Sequence, residues 1–169
     1  MAELFQDKYR VRSTRATWWE YNEGTYFITI CTRDKNHYFG EVVDEEMVLS
    51  MIGKKTVECI SEISHYFPQT IVICSIVMPN HVHLVLMINV DDSKSSSATE
   101  HQSNKSKLLP TIIRNFKASV TRFANSNQIP FSWQSRYHDH IVRNQEELSK
   151  ITDYVLNNVH RWSQDRYYD

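Results

Sequence analysis

Hydrophobic positions recur along the chain at two spacings, which distinguish strands from helices. Runs of β-branched and aromatic residues predict strands at 26–32, 70–77 and 81–90, and residues 131–142 are also predicted to be extended. Apolar residues at helical spacing predict helices over about 45–66 and 108–125, and a last helix from the N-cap Asn144 through Trp162. Pro79 and Asn80 form a tight turn between the second and third strands, which predicts an antiparallel hairpin.

The order of these elements, β-α-β-β-α-β-α, predicts an α+β fold of the ferredoxin-like, split βαβ type. We expect a four-stranded antiparallel sheet with helices on one face, followed by a C-terminal helix. Such a sheet leaves its second face free for a ligand. We expect residues 1–169 to form one domain, in which the polar, serine-rich residues 91–107 are a flexible loop.

The net charge of −1 does not by itself favour a nucleic-acid partner, but the charges are unevenly distributed. Basic residues cluster in the N-terminal arm and in residues 105–122, a stretch without any acidic residue. The candidate nucleic-acid contacts are Arg10, Arg12, Arg15, Arg114, Lys117 and Arg143.

The three cysteines are few, widely spaced and set in apolar surroundings. Cys31, Cys59 and Cys74 are therefore predicted to be reduced thiols of the core rather than a disulfide framework or a zinc site. No apolar run approaches the roughly 18 residues needed to span a bilayer, and no signal-peptide pattern is present. These features predict a cytoplasmic protein without a membrane partner.

The run from Met78 to Leu86 places two histidines at alternate positions of a strongly apolar strand. Side chains alternate between the faces of a strand, so His81 and His83 point to the same face. Two neutral imidazoles on one face form half of a divalent-metal site. However, such a pair is more often structural, and His138 and His140 form a second pair at the same spacing. Spacing alone leaves both alternatives open.

The last predicted helix supplies two further side chains. Tyr154 and Asn158 are four residues apart, so on a helix they share one face, beside the apolar stripe expected to face the sheet. A phenol beside a divalent cation, with an amide oxygen as a ligand, suggests phosphoryl transfer with tyrosine as nucleophile. Without those partners, Tyr154 would be a half-buried aromatic residue with one hydrogen bond.

Four segments resemble the single-tyrosine HUH transposases, in particular the REP-associated tyrosine transposases and their insertion-sequence relatives. Residues 78–84 (Met-Pro-Asn-His-Val-His-Leu) resemble the HUH motif, and residues 24–32 are similar to the first strand of the family. Residues 133–144 are similar to the family's block from Trp-Gln to Arg-Asn, and residues 153–158 (Asp-Tyr-Val-Leu-Asn-Asn) to the core of its catalytic helix. Where the family usually has proline after the last of these positions, this chain has Val159, which predicts an uninterrupted helix.

The resemblance implies that Tyr154 is the nucleophile and that His81 and His83 bind Mg²⁺ or Mn²⁺. It places Asn158 where the third polar ligand stands, and it implies the same ferredoxin-like fold. The implied activity is a single-stranded DNA transposase or endonuclease that cleaves and rejoins DNA by metal-assisted transesterification through a 5′-phosphotyrosine intermediate.

The resemblance also implies a DNA partner that contains a hairpin, with residues 8–15 helping to recognise a short sequence beside it. The chain is compatible with a homodimer in which the last helix is exchanged between copies.

Three other functions fit parts of the same pattern. A non-catalytic, domesticated nucleic-acid-binding protein on this fold would keep its DNA-dependent activity without Tyr154. A metal hydrolase would turn over without any covalent DNA adduct. A replication initiator or relaxase would use the same chemistry, but these proteins often have longer chains and additional motifs.

Overall fold

The computed structural model of the protein describes residues 24–89 and 108–168, together with the backbone of two short paired strands, β1 (Leu4–Phe5) and β2 (Tyr9–Arg10). The serine-rich segment 91–107 lies outside the described residues, as do Arg12 and Arg15 of the basic arm. Within the described part of the chain, no helix has the length and apolar character needed to cross a membrane.

The other elements follow the predicted order, with one added hairpin. Strand β3 (Gly24–Cys31) precedes a hairpin of β4 (Gly40–Val43) and β5 (Glu46–Leu49). Helices α1 (Met51–Ser61) and α2 (Ile63–Tyr66) lead to strands β6 (Thr70–Val77) and β7 (His81–Ile88). Helix α3 (Leu108–Ser126), strand β8 (His138–Val142) and helix α4 (Gln145–Leu156) follow.

The main sheet has the strand order β6-β7-β3-β8, and every neighbouring pair is antiparallel. This is the order that the split βαβ arrangement requires, so the predicted fold class is confirmed. The register of β3 against β7 places Thr29 opposite His83 and Cys31 opposite His81. Directly opposed residues share a face of the sheet, so Thr29 lies beside the histidine pair.

The two faces of the sheet have different surroundings. One face carries Tyr26, Ile28, Leu84 and Leu86, which are fully buried in the main hydrophobic core with apolar residues of α1 and α3. The opposite face carries the histidine pair. Helix α4 packs there against β6, so this second face is only partly open.

The helix predicted from residue 45 is wrong over its first part, because Glu46–Leu49 is the second strand of the added hairpin. Asp44 and Glu45 form the two-residue turn, with φ angles of 50° and 62°. Turns of this kind favour Asn-Gly or Asp-Gly, and the absence of glycine concealed the hairpin in the sequence. Helix α1 begins only after Ser50, whose hydroxyl accepts a hydrogen bond from the Gly53 amide at 3.0 Å.

Two other boundaries also differ from the prediction. Of the extended segment 131–142, only the last five residues form a strand, and Trp133 pairs with Thr32 in an isolated bridge. The last helix begins at the predicted cap, where the Asn144 side chain accepts from the Glu147 amide at 2.9 Å. It ends at Leu156, so the predicted uninterrupted helix is wrong, and a 3₁₀ turn follows at Trp162–Gln164.

The cysteines are free thiols, as predicted. Cys31 and Cys59 are buried, whereas Cys74 is half-buried. Burial raises the pKa of the Cys31 thiol to about 11, so this residue is a protonated core side chain at neutral pH.

Candidate active site

The two histidines of β7 meet in the interior of the protein. His81 and His83 are 0% and 1% exposed, and their Nε2 atoms lie 3.1 Å apart. Burial lowers the pKa of His81 to about 3 and holds the pKa of His83 well below its usual value. Both imidazoles are therefore neutral at physiological pH, which is the form that binds metals.

Asn80 orients the ring of His81. Its side-chain Nδ2 donates to the backbone carbonyl of Tyr167 at 2.9 Å, which directs its Oδ1 towards His81 Nδ1 at 2.8 Å. An amide oxygen only accepts hydrogen bonds, so Nδ1 of the neutral ring carries the hydrogen and Nε2 keeps its lone pair. The lone pair is thus directed into the site by a residue that is itself 1% exposed.

Thr29 contacts the Nδ1 atom of His83, as Asn80 contacts that of His81. The threonine hydroxyl lies 2.9 Å from His83 Nδ1. A hydroxyl can donate or accept, so this contact is compatible with either tautomer of the ring. When Nδ1 donates to the hydroxyl, the Nε2 atoms of both histidines present lone pairs to the same point.

Tyr154 reaches the histidine pair from α4. Its hydroxyl donates to Asp165 Oδ2 at 3.0 Å and lies 3.4 Å from His83 Nε2. Burial, followed by the negative charge of Asp165, raises the pKa of Tyr154 above its usual value. The phenol is therefore protonated at neutral pH and hydrogen-bonded to a carboxylate.

Asp165 joins the site from the segment that follows the 3₁₀ turn. Within residues 24–89 and 108–168, ligand atoms of His81, His83 and Asp165 lie within 4.8 Å of one another, as in a metal-binding group. Asp165 Oδ2 also accepts from Asn158 Nδ2 at 2.6 Å, and Oδ1 accepts from the Tyr167 amide at 2.7 Å.

The donor set fits a divalent cation. Asn158 is 1% exposed, and its Oδ1 is a buried oxygen without a hydrogen-bond partner among the described residues. A buried oxygen without a partner costs free energy, and a cation would satisfy it. Two neutral imidazoles, a carboxylate and this amide oxygen are ligands that divalent metals accept.

Comparisons with known proteins show which proteins this chain is similar to. The chain is 35% identical over 167 residues to an uncharacterized protein of Haemophilus influenzae, with 93% of this chain and 92% of the relative covered. It is 26% identical over 137 residues to a protein of the same organism named “Putative REP-associated tyrosine transposase”, with 80% of this chain and 69% of that protein covered. The chain is therefore similar to a REP-associated tyrosine transposase, as the resemblance of the four segments predicted. No family model matches it.

The fold agrees with this family. The solved structure of a REP-associated tyrosine transposase bound to a REP hairpin superposes with a TM-score of 0.61 at 16% identity. The match covers 91% of this chain and 77% of that one. The resemblance found in the sequence is therefore confirmed for the family and for the fold class.

The four residues predicted for the catalytic centre lie together. His81, His83, Tyr154 and Asn158 surround Asp165, although Asn158 lies beyond the end of α4 rather than on it. In this structure Asn158 donates to the carboxylate through Nδ2. Its predicted role as a metal ligand, like the roles of the other three residues, stays a prediction.

The second histidine pair lies at the rim of the site. His138 and His140 are exposed on β8, opposite Thr29 and Phe27 of β3. His140 Nε2 contacts the Glu147 carboxylate at 2.6 Å. Neither histidine joins the group formed by His81, His83 and Asp165.

The predicted nucleic-acid contacts are not gathered in one place within the described residues. Arg143 is exposed between β8 and α4, whereas Arg114 is exposed on α3. Lys117 donates to the Gln134 carbonyl at 2.7 Å and lies over the ring of Trp133; burial lowers its pKa. DNA contact by these residues stays a prediction, as do the homodimer and the single domain.

Asp165 is the site residue that the sequence did not reveal. It lies beyond the end of α4 and after a 3₁₀ turn, so the helical spacing that relates Tyr154 to Asn158 does not extend to it. The only signal is the aromatic character of the last residues. Trp162 is buried and Tyr167 packs on the ring of His81, with centroids 4.5 Å apart. A terminal segment rich in aromatic residues is expected to pack against the fold.

Proposed function

We propose that this protein cleaves and rejoins single-stranded DNA by transesterification, with Tyr154 as nucleophile and a 5′-phosphotyrosine intermediate. The supporting observation is that the Tyr154 hydroxyl lies beside both His83 Nε2 and the Asp165 carboxylate. Similarity to a REP-associated tyrosine transposase supports a transposase function. The solved relative bound to a REP hairpin supports single-stranded DNA with a hairpin as the partner.

Mg²⁺ or Mn²⁺ is the cofactor in this proposal. His81, His83 and Asp165 would hold it, with the unpaired Oδ1 of Asn158 as a further oxygen ligand. Two imidazole ligands suit Mn²⁺ better than Mg²⁺, which prefers oxygen ligands and bound water. When bound, the cation would polarise the scissile phosphate and offset the charge that develops on its oxygens.

In this proposal Asp165 takes the proton of the nucleophile. Its Oδ2 already accepts the hydrogen bond from the Tyr154 hydroxyl at 3.0 Å. A carboxylate has about four lone-pair sites on two oxygens. Oδ2 of Asp165 accepts from Tyr154 and Asn158, and Oδ1 accepts from the Tyr167 amide, so one site on Oδ1 remains for the cation. A base within hydrogen-bond distance is what a phenol with a raised pKa requires.

In the cleavage step, each bond that breaks is replaced by a bond that forms, so no external energy source is needed. The Tyr154 oxygen forms a bond to phosphorus as the bond from phosphorus to the 3′ oxygen of the preceding nucleotide breaks. The phenol proton passes to Asp165, and the departing 3′ oxygen takes up a proton to give a 3′-OH. In rejoining, a 3′-OH attacks the phosphotyrosine bond and Tyr154 leaves with a proton. One phosphoester bond replaces another, so no ATP is consumed.

The test is formation of a covalent protein–DNA adduct. The full chain is incubated with Mn²⁺ and a panel of synthetic single-stranded oligonucleotides, each with a stem-loop and unpaired flanks, and separated on an SDS gel. We expect an SDS-stable adduct that is lost in Tyr154→Phe and in EDTA. Tyr168→Phe is the matched control, because Tyr168 is 49% exposed and should leave the adduct unchanged.

An adduct that forms equally well with Tyr154→Phe would show that another residue is the nucleophile. Oligonucleotide binding by both proteins, without any adduct, would instead favour the non-catalytic DNA-binding protein. Phosphodiester hydrolysis without an adduct would favour the metal hydrolase.

A further inference from the structure

A pocket beside Tyr154 extends the candidate active site along the sheet. It has a volume of about 400 Å³ and opens on the sheet face that carries the histidine pair. We call it the Phe27 pocket; its lining includes His83 and Tyr154 of the site and, beyond them, Phe27, His138, His140 and Arg166.

Phe27 forms an aromatic surface in this pocket. Its neighbours Tyr26 and Ile28 are fully buried in the core on the helix side, whereas Phe27 lies on the opposite face and is only half-buried. Its ring lies 5.2 Å from the His83 ring and meets the Tyr154 ring edge-on at 6.2 Å, measured between centroids. A partly exposed aromatic ring on this partly open sheet face is a surface on which a nucleobase can stack.

The walls of the pocket supply polar groups: two histidines and the carboxylate of Asp139 from β8, and the guanidinium of Arg166. Strand β8 places His140 opposite Phe27 and His138 opposite Thr29. The Glu147 carboxylate orients the His140 ring through the contact at 2.6 Å. Arg166 is exposed at the other side of the opening and contributes a guanidinium. An aromatic floor with a cation at the rim matches a nucleotide, which presents a flat base and an anionic phosphate.

We infer that the Phe27 pocket binds the nucleobase of a nucleotide that flanks the scissile phosphate, with the base stacked on Phe27. This inference rests on the proposed function, because the Tyr154 oxygen must reach the phosphorus atom. A pocket in ring contact with Tyr154 can then accept only a group adjacent to that phosphate. Phe27 is thus a substrate-positioning residue, and Arg166 meets a phosphate oxygen of the same strand.

The experiment separates base stacking from a purely structural role of Phe27. The cleavage position is first mapped by sequencing the fragment released during adduct formation. Binding is then measured by fluorescence anisotropy in a Tyr154→Phe background, with the intact oligonucleotide and with two oligonucleotides that are abasic on either side of the cleavage position. Phe27→Leu removes the aromatic face and keeps an apolar side chain, and Phe27→Tyr keeps both.

We expect one abasic substitution to weaken binding to the Phe27 protein by about 5- to 150-fold, the range for loss of one stacked base. Phe27→Leu should bind the intact oligonucleotide as weakly as the Phe27 protein binds the abasic one. Its affinity for the abasic oligonucleotide should be no lower, whereas Phe27→Tyr should bind like the Phe27 protein. Phe123→Leu, which removes a partly buried ring of α3 outside the pocket, is the matched control and should not change binding.

Two results would overturn the inference. One is unchanged binding of the Phe27 protein when either flanking base is removed. The other is a loss in Phe27→Leu of the same size for intact and abasic oligonucleotides, which would assign Phe27 a role in packing Tyr154 only. Neither result changes the outcome of the adduct assay, which tests Tyr154 as nucleophile. The inference about the Phe27 pocket can therefore fail while the proposed function holds.

Discussion

At the scale of single residues, the site depends on side chains that hold the candidate ligands in one orientation. Asn80 illustrates this, because its two hydrogen bonds connect His81 to the backbone of Tyr167, which lies 87 positions after Asn80. Partners of this kind set which nitrogen of an imidazole carries the hydrogen. The strand places the histidines on one face, but the neighbours decide where their lone pairs point.

Asn80→Ala should weaken metal binding while His81 and His83 are retained. Loss of the hydrogen bond to Nδ1 frees the His81 ring and its tautomer, and loss of such a partner typically costs about 10- to 100-fold in affinity. Isothermal titration with Mn²⁺ measures this change. Asn89→Ala, at the exposed far end of β7, is the control and should bind normally. Equal affinity for all three proteins would contradict the role assigned to Asn80.

Asp165→Asn should weaken Mn²⁺ binding by about tenfold or more, because it replaces a charged oxygen ligand by a neutral one of the same shape. Asn158→Ala measures the contribution of the amide ligand predicted from the sequence. A larger loss in Asp165→Asn than in Asn158→Ala supports the carboxylate as the third ligand. A larger loss of Mn²⁺ affinity in Asn158→Ala would instead support Asn158 as the third ligand.

At the scale of elements, the start and the end of α4 determine the position of Tyr154. The helix begins where Asn144 caps the Glu147 amide and Glu147 in turn contacts His140 and the Arg143 amide, which fixes α4 to β8. Both the cap and the start were predicted from the sequence, since capping is a local interaction. The end was not, because the turn after Leu156 is stabilised by distant contacts of Trp162 and Asp165.

Asn144→Ala should lower the free energy of unfolding by about 1 kcal/mol, the usual cost of losing an N-cap side chain. Urea denaturation followed by circular dichroism measures the difference. Asn125→Ala is a matched control, since Asn125 is exposed within α3 and alanine has the higher helix propensity. An unchanged midpoint for Asn144→Ala would show that tertiary packing alone holds the start of α4.

At the scale of the whole molecule, the two faces of one sheet have separate functions. The face towards α1 and α3 buries the main core, and the face towards α4 carries buried polar groups around Tyr154. β7 contributes to both layers, which explains why seven of its eight residues are buried. Buried neutral histidines on this strand make the stability of the metal-free protein depend on pH.

The metal-free protein should lose stability as the pH falls below about 6.5. The unfolded chain then takes up protons on these histidines, whereas folded His81, with a pKa of about 3, does not. Each such imidazole contributes a loss of about 1.4 kcal/mol per pH unit until the folded pKa is reached. Urea denaturation in EDTA between pH 6.0 and 5.0 should show this slope.

The slope should become smaller in His81→Gln and remain in His160→Gln, which changes an exposed histidine. The same slope in His81→Gln and in the unsubstituted protein would show that His81 is protonated in the folded state.

The sequence by itself determined the features that depend on neighbouring residues. Period-two alternation placed His81 and His83 on one face, helical spacing placed the apolar stripe of α3, and a local cap marked the start of α4. The tertiary structure alone decided the rest. Thr29 reaches His83 through cross-strand register, Asn80 depends on the Tyr167 carbonyl, and Asp165 returns to the site by a chain reversal. These contacts join residues 54, 87 and 11 positions apart, and such distances leave no local pattern in a sequence.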